Sequence, residues 1–61
     1  MVQLSEKELA VLNDLLCDEE LLVKKFKMLA SQTEDEEIKR KYEYISKQHQ
    51  AHYDALYAHL M

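Results

Sequence analysis

Neither glycine nor proline occurs anywhere in the 61 residues. Turn-rich β architectures place those two residues at their corners, so their absence argues against an all-β fold. Leu, Glu, Lys and Ala dominate instead, and these side chains lose little on entering a helix.

Two stretches carry helix-start chemistry. In LSEKEL, Ser5 can cap a helix and Glu8, three residues on, can return the hydrogen bond. That pair makes a capping box, and Leu4 and Leu9 stand at the positions of a hydrophobic staple. The first helix is expected over about residues 5–30, with Lys24, Lys25 and Lys27 toward the negative end of its dipole. In SQTEDEE, Thr33 is the expected N-cap and Glu36 completes a second capping box. Glu34, Asp35, Glu36 and Glu37 fill the turn where the dipole is positive, so the acidic run reads as helix initiation rather than a cation site. The second helix is expected over about residues 34–59. A corner at about 31–33 folds the pair back antiparallel. The expected fold is all-α: one antiparallel two-helix hairpin over residues 1–61.

Apolar side chains recur at alternating steps of three and four. In the first helix the seam is Leu9, Leu12, Leu16, Glu19, Val23, Phe26 and Ala30, widened by Leu15, Leu22 and Leu29. In the second it is Ile38, Tyr42, Ile45, His49, His52, Leu56 and His59. Each stripe is interrupted by groups that bind protons or metals: Glu19 in one, the three histidines in the other. With the corner centred between Gln32 and Thr33, level residues have numbers summing to about 65. Glu19 then lies level with Ser46 and about one turn from His49, so Glu19, His49 and His52 can converge at mid-length.

Size sharpens the question of what stabilises such a chain. A core this small rarely supplies more than about 3–5 kcal/mol. Cys17 is the single cysteine, so no internal disulfide can help; lying off the seam, it reads as a small filler. Metal binding or self-association remains. One hairpin cannot cover its own stripe: Leu15, Leu21, Leu22, Met28 and Leu29 would stay partly wet. A twofold homodimer forming a four-helix bundle would shield that surface.

Several function classes are disfavoured. The net charge of −4 opposes nucleic-acid binding, which needs a basic surface. No apolar run approaches the ~20 residues that span a bilayer, and MVQLSEKE lacks the apolar stretch of a leader peptide. A soluble cytoplasmic protein is expected. No Ser-His-Asp set, phosphate loop or dinucleotide fingerprint occurs.

LSEKELAVLNDLLCDEELLVKKF followed by HQAHYDALYAHL resembles the spore coat F-like proteins, across nearly the whole chain. The markers are LSEKEL, the acidic residue after NDLL, and His49, His52 and Tyr53 in HxxHY. The resemblance implies a ferritin-like helical fold, a structural or coat-associated role, and other coat proteins as partners. The wider ferritin-like class implies a metal site with a Glu on one helix and Glu-x-x-His on the next. Glu19, or its neighbour Glu20, matches the first element and His52 matches the final His. Position 49 departs from the pattern, with His in place of Glu. A carboxylate that could bridge two metals is thereby missing, which opposes ferritin-style iron oxidation and leaves a ferritin-like metal oxidase as the weaker, enzymatic alternative to a non-enzymatic module.

Two readings of Glu19, His49 and His52 stay open. They are ligands for a transition metal such as zinc, iron or manganese. Or they form a polar cluster, with Ser46 or Asn13 as further partners, that fixes register and association. A carboxylate in an apolar stripe must be paired either way, so close Glu19–His contact is expected. Tyr53 could reach Glu19 or a ligand, or pack at an interface with its hydroxyl wet. His59, near the chain end, reads as a surface residue.

Overall fold

A computed structural model describes residues 4–60. Residues 1–3, part of the segment read above for a leader, and residue 61 lie outside the described residues. Helix α1 spans Glu6–Gln32, helix α2 spans Glu36–Tyr57, and a 3-10 turn, Ala58–Leu60, follows. No strand occurs among the described residues, and none of their helices is long and apolar enough to cross a membrane.

The start of α1 follows the capping logic of its sequence. The Glu8 backbone N–H donates to Ser5 Oγ at 3.2 Å, and the Ser5 N–H donates to Glu8 Oε1 at 3.1 Å. The Ser5 N–H, then the Ser5 hydroxyl, hold the Glu8 carboxyl below its ordinary value of 4.5. These bonds satisfy donors that a helix start otherwise leaves without partners.

The corner differs from expectation. Helix α1 continues through Ser31 and Gln32, so Lys24, Lys25 and Lys27 fall short of its last turn, which carries no basic residue. Thr33 does not cap α2. It terminates α1 in an extended conformation, its N–H donating to the Leu29 carbonyl at 3.1 Å. Asp35 is the α2 cap: its Oδ1 accepts from the N–H groups of Glu37 at 2.9 Å and Ile38 at 3.1 Å. A carboxylate facing the positive end of the helix dipole outcompetes a neutral hydroxyl for that place. Thr33 Oγ1 accepts the Asp35 N–H at 3.2 Å instead.

This shift resets the register. The corner is centred on Glu34, so level pairs sum to about 68 rather than 65. Glu19 faces His49, not Ser46. Ser46 meets α1 one turn further on, where its hydroxyl donates to the Val23 carbonyl at 3.3 Å.

Leu12, Leu16, Val23 and Ala30 are buried, as the α1 stripe requires. On α2 the expected seam lies to one side of the contact with α1, touching it through Tyr42, His49 and His52. Ser46, 3% exposed, is the buried residue of that helix. Tyr42, Ile45, His49 and Leu56 are only half-buried, and Ile38, His52 and His59 are exposed. At about 100° per residue, these seven lie roughly 40–140° around one side of α2 from Ser46. On α1, Leu15, Leu22 and Leu29 lie roughly 60–100° around from Leu12. Because the helices run antiparallel, both offsets fall on the same broad face of the hairpin. Leu4, Val11, Leu15 and His59 accordingly line one open groove of about 350 Å³.

The opposite broad face is polar: Lys27, Ser31, Lys39, Glu43 and Lys47 line one depression there, and Glu20, Lys24 and Gln50 another. The molecule is a slab of 46 × 17 × 11 Å with one apolar and one charged side. Leu21 and Met28 belong to neither; they lie roughly 160–180° from the α1 seam and are exposed on its outer edge.

Candidate metal centre

The mid-length contact between the helices is built from Glu19, His49 and His52. Glu19 is the central residue of α1, with residues 6–18 before it and 20–32 after it. Its place in the core-facing stripe sinks the carboxylate to 14% exposure. His49 Nδ1 pairs with Glu19 Oε1 at 2.7 Å in a hydrogen bond across the helices. One turn along α2, His52 Nδ1 lies 3.0 Å from Glu19 Oε2. Each carboxylate oxygen therefore serves one imidazole.

The aromatic surroundings hold this arrangement in place. Phe26 stacks on the His49 ring, centroids 6.0 Å apart and planes 15° from parallel, while its other contact is Tyr42 at 5.9 Å. The His49 and His52 rings meet edge to face at 5.6 Å and 84°. His49 is thus wedged between a phenyl ring and a second imidazole, with its side chain 23% exposed. His52 is 61% exposed, and its open side belongs to the apolar broad face.

One donor atom from each of the three residues lies within 4.8 Å of the others. Donors around a tetrahedral zinc, with bonds of about 2.0–2.2 Å, sit roughly 3.3–3.5 Å apart. A bound metal would have to draw the donors together by that difference. Two imidazoles and one carboxylate suit zinc or ferrous iron better than a calcium-type, all-oxygen site. A metal there would take three protein ligands and keep at least one coordination position free.

Other residues weighed from the sequence are elsewhere. Ser46 is engaged with Val23 and Asn13 is exposed, so neither joins the cluster. Glu20 pairs with Lys24 at 3.1 Å on the surface. The Tyr53 ring stacks on Tyr57 at 6.0 Å, in keeping with packing rather than ligation. Cys17 and His59 are exposed. Sequence reasoning gave Phe26 no role beside His49; the corrected register sets Phe26 level with Tyr42, its other aromatic contact, and gives no signal for His49.

Compared with known proteins, the chain matches no family model, no curated protein and no solved structure. The resemblance to spore coat F-like proteins rests on the quoted motifs alone.

Proposed function

We propose that this chain is a non-enzymatic assembly module that acts as a homodimer, two hairpins packed into a ferritin-like four-helix bundle. One observation carries the reading: the apolar stripe of α2 lies to one side of its contact with α1, on the broad face that also carries Leu15, Leu22 and Leu29. A stripe that its own chain covers only in part is arranged for a partner. A second copy fits, since a face of 46 by 17 Å is close to the roughly 800 Å² per partner of a standard stable interface. The resemblance to coat F-like proteins extends the reading to association with other coat proteins at the spore surface. Sedimentation equilibrium of the untagged chain tests the dimer: a mass of two chains at micromolar concentration is expected, and a folded monomer would overturn it.

A second reading, favoured by the convergence of Glu19, His49 and His52, is transition-metal binding, with zinc, iron or manganese as candidates. Elemental analysis of protein purified without a histidine tag should find about one metal per chain, and a chelator should lower its melting temperature. Unchanged metal content in His49→Ala would remove this reading.

A further inference from the structure

We infer that metal binding and self-association of this chain are one linked equilibrium: a divalent metal on Glu19, His49 and His52 stabilises the dimer, and the dimer shelters the metal. This rests on both readings proposed above.

The first observation is the lopsided burial of the cluster. Glu19 is 14% exposed and His52 61%, so the cluster is closed toward the hairpin core and open on one side. That open side is the apolar broad face, between the half-buried Ile45 and Leu56. The surface a second copy would cover is therefore the surface through which a metal would otherwise meet water.

The second observation is the height of the cluster. Glu19 is the middle residue of α1. A twofold dimer that overlaps the two faces fully brings both clusters to the same height, whether the corners lie at one end or at opposite ends. A metal on Glu19, His49 and His52 would keep a coordination position toward the open side, where His52 is 61% exposed. Association closes that side to bulk water, and excluding water strengthens each carboxylate–metal attraction. By linkage the metal strengthens the dimer by the same free energy.

The test uses the full, untagged chain stripped with a chelator, then studied at one fixed pH with and without zinc. Sedimentation equilibrium should show the dimer dissociation constant falling by about tenfold or more when zinc saturates the protein. Calorimetry should show Leu15→Glu, which charges the apolar face, weakening zinc binding by a similar factor. His52→Ala should lose the zinc response of the dimer. If Leu15→Glu does not fold, the wild-type titration and His52→Ala decide the matter.

An unchanged dimer constant with zinc bound overturns the linkage and leaves both parent readings standing. Absence of zinc binding overturns it together with the metal reading. A zinc-loaded chain that stays monomeric overturns it together with the assembly reading. Growth beyond the dimer on adding zinc would indicate surface cross-linking and also overturn it.

Discussion

Glu19 Oε1 and His49 Nδ1 stand 2.7 Å apart across thirty residues of sequence, and this bond joins the two helices at mid-length. A carboxylate 14% exposed in an apolar stripe needs partners, and the observed register gives each of its oxygens an imidazole. Slipping α2 by one turn would leave Glu19 level with His52 or Ser46 and break the paired contact with both imidazoles. The polar cluster thus specifies how the helices align, whatever else it binds.

Removing the carboxylate should be felt in stability. Glu19→Ala deprives both imidazoles of their acceptor and should cost about 1–3 kcal/mol in metal-free protein, with Glu19→Gln milder. Urea unfolding followed by circular dichroism measures both. An unaltered midpoint in Glu19→Ala would mean that the contact contributes nothing in solution.

Core truncation should be more severe. Leu16 is 7% exposed, and Leu16→Ala should cost about 2–5 kcal/mol, comparable to the whole stability of a core this size. Cooperative thermal unfolding should be lost. Leu21→Ala, on the outer edge, should stay within about 0.5 kcal/mol of wild type.

The two broad faces should respond oppositely to charge. Leu15, 43% exposed in the single hairpin, faces the proposed partner, so Leu15→Glu should give a single-chain mass by light scattering. Lys47→Glu, on the polar face, should keep the mass of two chains. Matching behaviour of the two variants would locate the interface elsewhere.

Acid should loosen the start of α1. The Glu8 carboxyl, held below 4.5 by Ser5, is depressed in the folded state. It therefore contributes stability that is present above its unfolded value and lost as pH falls through the folded one. Protection of the Glu8 and Leu9 amides, taken relative to their intrinsic exchange, which slows in acid, should fall as pH drops from about 5 to about 3. Ser5→Ala, which keeps the backbone N–H, should weaken that dependence, and Glu8→Gln should abolish it.

The hairpin was legible because its evidence is local. The Ser5–Glu8 capping box and the Leu12, Leu16, Val23 and Ala30 stripe each lie within one helix. The corner was harder, because Thr33 and Asp35 are both competent caps two residues apart. The choice depends on how far α1 persists, which sequence reads poorly. That small shift displaced the level partner of Glu19 by three residues, from Ser46 to His49. Convergence of the three cluster residues survived it because His49 and His52 are spaced one turn apart. The direction of the α2 stripe was not legible, since periodicity shows that a stripe exists but not which neighbour it addresses.

The corner has one more implication. No described residue has positive φ; Thr33 stands at φ −84°, ψ 140° and Asp35 at φ −82°, ψ 113°. These φ values lie near the helical range, where ψ is about −42°. At these two residues, bent and straight forms of the chain differ chiefly by rotation about the Cα–C bond. Fidelity to the folded-back shape therefore depends on the Asp35 cap and the grip between the arms, not on any residue compelled to turn.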